Sequence, residues 1–89
     1  MMKIKAIEKV VKGFANHRRI EIMLLLDRQS GLSLWEIADR TKINFKTASE
    51  HVRRLALAGL VDKKYQGNTV RHTLSNTAKS ILKFLRILE

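Results

Sequence analysis

Two helix-start signals lie close together in the middle of the chain, and they constrain the fold more than any other feature. Ser33 and Glu36 have the spacing of a capping box, in which each side chain accepts a hydrogen bond from the backbone N–H of the other residue. After a short break at residues 41–43, Asn44 is a second favourable N-cap residue. Two capped helices joined by so short a turn predict a helix-turn-helix.

The hydrophobic pattern changes its period after the second of these helices. Gly59 predicts the helix end, with Leu60 packing back on Leu55. From Leu60 onward apolar and polar residues alternate, and Gln-Gly-Asn at residues 66–68 is a turn signal. The sequence therefore predicts a basic two-stranded hairpin, a wing, over about Val61–Leu74, and we expect Tyr65 and His72 to brace it.

Helices are also predicted on both sides of this unit. Helical spacing of apolar residues runs from about Lys3 to Phe14, from His17 to about Arg28 and, after a Ser75 cap, to about Leu88. The second of these helices is apolar nearly all round and should be central. A chain of 89 residues with no Pro and four Gly predicts one mainly α domain over residues 1–89 with a small β-hairpin, in the order α-α-α-α-β-β-α of a winged helix-turn-helix.

Charge and composition narrow the function classes. Eighteen Lys and Arg against eight Asp and Glu give a net charge of +10, which favours a polyanionic partner. The absence of Cys excludes disulfides, thiolate nucleophiles and a Cys-ligated metal sensor site. No catalytic motif or metal-ligand cluster is present, so we expect no enzyme, cofactor or metal. The longest apolar run, residues 22–26, is too short to span a membrane, and we expect a cytoplasmic protein.

Several segments together resemble the ArsR-like, and more loosely the MarR-like, winged helix-turn-helix regulators. They are Asn16–Ile20 with Ile22, Leu24 and Leu25, then Leu34–Ala38, then Thr47–Leu55, and finally Ala58–Val61. The resemblance implies a homodimeric transcriptional regulator, a repressor, that binds double-stranded DNA. Glu50 departs from the family pattern, which often has a basic or amide residue there.

In such a fold the second helix of the helix-turn-helix, about Asn44–Ala58, is the recognition helix and enters the major groove. The wing lies on the flanking backbone or minor groove. The candidate DNA-binding residues are Lys42, Lys46, Thr47, Ser49, Glu50, Arg53, Arg54, Lys63, Lys64 and Arg71. Arg18 and Arg19 are secondary phosphate candidates. The alternative to DNA contact is that these helix residues only form weak ion pairs at the surface, Lys46 with Glu50 and Glu50 with Arg54. Phe45 is expected to pack at the core edge rather than to contact a thymine methyl group, and Trp35 is expected in the core.

The terminal helices carry more apolar surface than one core needs. We predict a homodimer interface formed by Ile4, Ile7, Val11, Ile81, Phe84, Leu85, Ile87 and Leu88. A dimer presents two recognition helices to half-sites about 34 Å apart. The alternative is that both helices pack only on their own core.

Two rival functions stay open at this point. A winged helix can be a protein-interaction subunit of a larger nucleic-acid complex, in which case the outward face of the second helix is dispensable. RNA binding usually relies on exposed aromatic residues, and only Tyr65 is expected near the basic surface, which disfavours it.

Overall fold

The computed structural model describes residues 2–89 and contains the predicted elements in the predicted order. The elements are α1 (Ile4–Phe14), α2 (His17–Arg28), α3 (Leu34–Thr41), α4 (Phe45–Leu57), β1 (Val61–Gln66), β2 (Thr69–Leu74) and α5 (Asn76–Ile87). This arrangement confirms a mainly α winged helix-turn-helix with a small hairpin. No helix within the described residues has the length and apolar character needed to cross a membrane.

The predicted start signals cap their helices. The Ser33 hydroxyl accepts from the Glu36 N–H at 3.2 Å, and the Glu36 carboxylate accepts from the Ser33 N–H at 2.9 Å, so both halves of the capping box form. Side chains also cap the first turns of α2, α4 and α5, at Asn16, Asn44 and Ser75. Each cap satisfies backbone donors that a helix start otherwise leaves free.

Both α3 and α4 are followed by a residue in the left-handed conformation, but the residue is a lysine in one case and a glycine in the other. At the end of α4, Gly59 has φ +74° and the Leu60 N–H donates to the Leu55 carbonyl at 2.9 Å, as predicted. At the end of α3, Lys42 takes the same left-handed conformation, with φ 58°, and the Ile43 N–H donates to the Ala38 carbonyl. A side chain in this conformation costs about 1 kcal/mol, so the tight turn between the two helices is held at some expense of stability.

The core lies where α2 meets α3, α4 and the hairpin. Ile22, Met23 and Leu26 of α2 are fully buried, which confirms the central helix. Leu25 of the same helix is also buried. The other buried apolar side chains come from every later element and the loops between them: Leu32, Ile37, Ala38, Ile43, Ala48, Val52, Leu55, Leu60, Val61, Leu74, Ala78 and Leu82.

His72 joins the hairpin to the loop before α3. The strands pair antiparallel from Val61 opposite Leu74 to Gln66 opposite Thr69. His72 is buried, and its Nδ1–H donates to the Leu32 carbonyl at 2.9 Å. The expectation that His72 braces the hairpin is therefore confirmed. The same expectation for Tyr65 is wrong, because its side chain is 78% exposed.

Trp35 is not in the core as predicted but is 71% exposed. Ile37, Ala38 and Thr41 are the buried residues of α3, and at 100° per residue Trp35 falls roughly 110° around the helix from the middle of that buried face, beyond its edge. Its ring stacks on that of Phe45, with centroids 4.5 Å apart. Phe45 therefore packs on another exposed aromatic ring and is itself 38% exposed.

The two terminal helices leave an apolar surface open. In α1 no residue is buried. Of the predicted interface residues, Ile81 and Leu85 are half-buried against the core, and the others are exposed: Ile4, Ile7, Val11, Phe84, Ile87 and Leu88. A groove of about 590 Å³ separates α1 from α5, and its walls include Ile7, Val10, Phe14 and Phe84.

Candidate nucleic-acid interface

The outward side of α4 presents polar and basic side chains to solvent. Ala48, Val52 and Leu55 are buried on its inner side, as the spacing predicts. The outward residues Lys46, Thr47, Arg53 and Arg54 are exposed, and Ser49 and Glu50 are half-buried. The Asn44 side chain accepts from the N–H groups of Lys46 and Thr47 at 2.9 and 3.3 Å, which fixes this end of the helix.

Glu50 binds two arginines of its own helix. Its carboxylate accepts from Arg53 Nε at 2.9 Å and Nη2 at 2.6 Å, and from Arg54 Nε at 3.2 Å. The hydrogen bonds from Arg53 lower the pKa of Glu50 to about 2, and the charges of both arginines act in the same direction. The predicted Glu50–Arg54 pair is thus formed, whereas Lys46 makes no ion pair within residues 2–89. Glu50 therefore holds the two guanidinium groups in place and leaves the trio with net positive charge.

The three cationic residues predicted for the wing do not share one surface. Lys64 and Arg71 lie opposite each other across the strands, while Lys63 lies opposite His72 on the other face. Arg71 also donates to the Gln66 side chain at 3.1 Å and to the Gly31 carbonyl at 3.2 Å. Arg71 thus ties the wing to the loop before α3, and Lys63 and Lys64 are the other exposed cations of the wing.

Lys42 is exposed in the turn that leads into α4. It stands shortly before Lys46 and Thr47, so all three belong to one continuous segment of the turn and the first turn of the helix. Of the ten predicted residues, six lie along the outward side of α4: Lys46, Thr47, Ser49, Glu50, Arg53 and Arg54.

Arg18 and Arg19, secondary phosphate candidates by sequence, have partners within the fold. Arg18 pairs with Glu21 at 2.9 Å. Arg19 Nη1 donates to His51 Nδ1 at 3.2 Å and Nη2 donates to the Lys12 carbonyl at 3.5 Å, which links α2 to α4 and to the end of α1. The prediction missed this link, although His51 lies beside Val52 on the edge of the buried face of α4.

Burial and neighbouring charges lower the pKa values of both residues in this Arg19–His51 link. Burial lowers the pKa of His51, and the charges of Arg19 and Arg54 lower it further. Burial also lowers the pKa of Arg19, whose Nε has no hydrogen-bond partner within residues 2–89. Neutral His51 is the form that can accept from Arg19, so the link requires the unprotonated ring.

Exposed aromatic residues form the second feature that the sequence did not indicate. A cleft of about 420 Å³ lies between α3 and the wing, and Trp35, Tyr65 and Lys63 are among its lining residues. With Phe45 beside Trp35, three aromatic side chains border the basic surface rather than Tyr65 alone. The spacing of Ile37, Ala38 and Thr41 on α3 was the signal that could have identified Trp35 as exposed.

The described residues contain no group of three or more His, Cys, Asp or Glu side chains arranged to hold a metal ion. The surface built by α4 and the wing offers instead guanidinium, ammonium, hydroxyl and aromatic groups. These groups bind phosphate and base edges.

Comparison with known protein families gives a match over residues 16–63, to the family described as bacterial regulatory protein, arsR family. The matched segment runs from the cap of α2 through α4 into β1, so it contains the helix-turn-helix. Over 81 residues the chain is 35% identical to the transcriptional activator HlyU of Vibrio cholerae serotype O1. That alignment covers 89% of this chain and 73% of HlyU.

Solved structures share the fold, and one of them is a DNA-binding domain by name. The homodimeric winged helix-turn-helix DNA-binding domain from Mycobacterium bovis, a possible ArsR-family transcriptional regulator, superposes with a TM-score of 0.86 at 26% identity. The similarity covers 96% of this chain and 79% of that one. HlyU from Vibrio cholerae gives a TM-score of 0.81 at 31% identity over 99% of this chain and 97% of its own.

Proposed function

Because this chain belongs to the arsR family of bacterial regulatory proteins, which are transcriptional regulators with a DNA-binding winged helix-turn-helix, we propose that it binds a specific double-stranded DNA sequence through α4. The observation that carries the proposal is the outward side of that helix, which is capped at its N-terminus by Asn44 and exposes Lys46, Arg53 and Arg54. A major groove admits one helix and presents base-edge donors and acceptors to it. In this proposal residues 1–89 act as one DNA-binding domain whose terminal helices dimerise.

The proposed site makes two kinds of contact with DNA, the first with base edges and the second with the phosphate backbone. Lys46, Thr47 and Ser49 face base edges, with Arg53 held beside them by Glu50. The second kind is contact to the phosphate backbone, which fixes orientation without reading sequence. It is assigned to Lys42, Arg54, Lys63, Lys64 and Arg71.

The proposal includes a homodimer formed through α1 and α5. An eleven-residue helix that packs on the core only through partly buried residues such as Val10 and Phe14, beside an apolar groove of about 590 Å³, has little of the packing that stabilises a helix in a protein. A second copy supplies matching apolar residues, because a two-fold interface uses the same surface twice. The related domain from Mycobacterium bovis is homodimeric by name.

The sign of regulation is set by where the operator lies relative to the promoter. The sequence resemblance predicts a repressor, whereas the relative from Vibrio cholerae is named as an activator. The proposal concerns duplex binding and holds for either sign. Such a role requires access to chromosomal DNA, so it includes a cytoplasmic location.

Selection from a random duplex pool tests the proposed specificity. We expect the protein to enrich a roughly palindromic sequence with half-site centres about one helical turn, ~34 Å, apart, because two recognition helices read it. The Lys46→Ala variant should enrich it less, and Lys79→Ala, on an exposed site of α5, serves as the matched control. Failure to enrich any duplex, or enrichment only from a pool of single-stranded RNA, contradicts the proposal.

A further inference from the structure

Two exposed aromatic side chains beside the proposed DNA surface contribute little to the core. Trp35 is 71% exposed and Phe45 38% exposed. Their ring centroids are 4.5 Å apart with 32° between the ring planes. Such a pair leaves apolar area in water unless another molecule covers it, and exposed apolar area of this kind commonly marks a binding surface.

Phe45 lies at the N-terminal tip of α4, on the edge of the face that carries the buried Ala48 three residues further on. It is the first residue of α4 and directly precedes the exposed residues Lys46 and Thr47. The N-terminal residues of a recognition helix are those that approach base edges. The apolar group that a major groove presents is the C5-methyl of thymine, and a Phe ring is a suitable contact for it.

Trp35 comes from a different helix and contacts Phe45 from the side of the wing. It is the second residue of α3 and also lines the cleft of about 420 Å³ that Lys63 and Tyr65 share. The stacked Trp35 ring restricts where the Phe45 ring can lie. Its indole N–H is a donor, and with the Lys63 ammonium in the same cleft it can bind a phosphate of the strand that passes there.

We propose that Phe45 reads a thymine methyl group in the major groove and that Trp35 is the positioning residue that holds its ring. This inference rests on the proposed duplex binding by α4. It requires that the aromatic pair contact duplex DNA and that an A·T pair lie beneath the first turn of α4. A single strand stacked between Trp35 and Tyr65 is the competing occupant, and the experiment below separates the two.

The test replaces each thymine of a selected duplex, one at a time, by deoxyuridine, which lacks only the methyl group. Loss of one buried methyl should weaken binding of the wild-type protein about fourfold at one thymine per half-site. Phe45→Ala should bind the thymine and deoxyuridine duplexes equally. Trp35→Ala should lose most of the discrimination and Trp35→Phe should retain it, because a phenyl ring can still stack on Phe45.

Lys46→Gln is the matched control on the same turn of the helix. It should weaken binding to both duplexes alike and keep the fourfold ratio, since it removes a charge and not an apolar contact. Helix content and thermal unfolding of each variant are measured alongside. A variant that is less stable yet folded still reports the ratio of the two affinities, because both duplexes are measured on the same protein.

Trp35 is the only tryptophan of the chain, so its fluorescence provides a second readout. The selected duplex should quench and blue-shift the emission, and an equal length of single-stranded DNA should have a smaller effect at the same concentration. A merely structural Trp35 would keep its emission unchanged on duplex binding.

Each outcome has one meaning. Duplex binding without thymine discrimination, or a ratio unchanged in Phe45→Ala, overturns this inference and leaves the proposed function standing. Stronger quenching and tighter binding with the single strand also overturn it, in favour of base stacking in the cleft. The absence of any duplex binding at low salt overturns the proposed function and this inference together.

Discussion

At the residue scale, side chains of the candidate interface are arranged by contacts with one another. Glu50 orients Arg53 and Arg54. Two histidines hold elements together, His51 by accepting from Arg19 through its unprotonated ring and His72 by donating to the Leu32 carbonyl. The sequence predicted the Glu50–Arg54 pair because i,i+4 spacing is local. It did not predict the Arg19–His51 contact, because those residues meet only after α2 and α4 have packed.

The two histidines predict that the fold weakens in mild acid. Burial, and to a lesser extent Lys63, lowers the pKa of His72 from its usual 6.5, and burial also lowers that of His51. The unfolded chain therefore binds protons that the folded chain does not. The free energy of unfolding should be highest above pH 6.5 and should fall as the pH drops below 6.5. It should level off at a pH below the pKa values that the two histidines have in the folded chain.

Urea unfolding on both sides of that pH measures the effect. His72→Gln and His51→Gln should each flatten part of the pH dependence in this window, and the double variant should remove most of it. His72→Gln will also lower stability at every pH, because the buried contact to Leu32 is altered. An equal pH dependence in the wild type and the double variant contradicts this explanation.

At the element scale, most of the fold could be predicted because its signals are local. Caps at Asn16, Ser33, Asn44 and Ser75 marked four helix starts, and the change of period after Leu60 marked the hairpin. Trp35 was predicted wrongly because a large aromatic residue was given more weight than its position on the helix. The split of the wing cations onto two faces follows from strand alternation, but what each face contacts depends on the loop before α3.

The packing of α1 on α4 has a single point of close approach at Gly13. A Cβ added there would lie 2.4 Å from the Ala58 Cβ, which no ordinary contact allows. Gly13→Ala should therefore push α1 away and destabilise the fold by about 1–3 kcal/mol, despite the better helix propensity of alanine. Thermal and urea unfolding measure this effect.

Ala58→Gly removes the opposing methyl group and provides the matched control. Combined with Gly13→Ala, it should restore much of the lost stability, so the two changes should couple strongly in a double-mutant cycle. Additive effects, or a Gly13→Ala variant as stable as the wild type, are inconsistent with close packing at this point.

At the scale of the whole molecule, the apolar groove and the candidate interface lie on different elements. The apolar groove lies between α1 and α5, and the cations of the candidate interface lie on α4 and the wing. The sequence indicated both surfaces, because surplus apolar residues and a net charge of +10 are visible in it. What a second copy contributes cannot be derived from residues 2–89 of one chain, since its geometry depends on the partner.

If the proposed dimer forms, one substitution in its interface should halve the molecular mass measured in solution. Phe84 is 58% exposed in the single chain, so Phe84→Lys should leave the fold intact and place a charge in the interface. Light scattering should give twice 10.3 kDa for the wild type and 10.3 kDa for the variant at the same concentration. Lys83→Ala is the neighbouring control and should stay dimeric, whereas a wild type that is monomeric at every concentration argues against the interface.

Titration of the selected duplex at two salt concentrations tests the central claim most directly. Wild-type affinity should fall steeply with salt, because each neutralised phosphate contributes about −0.9 to the slope of log K against log salt. Arg53→Ala should reduce the preference for the selected over a scrambled duplex. Lys63→Ala should weaken both alike and lower the slope by about 1. A wild-type protein that binds no duplex at low salt, or Arg53→Ala and Lys63→Ala variants that bind as the wild type does, would contradict the claim that α4 and the wing form a DNA-binding surface.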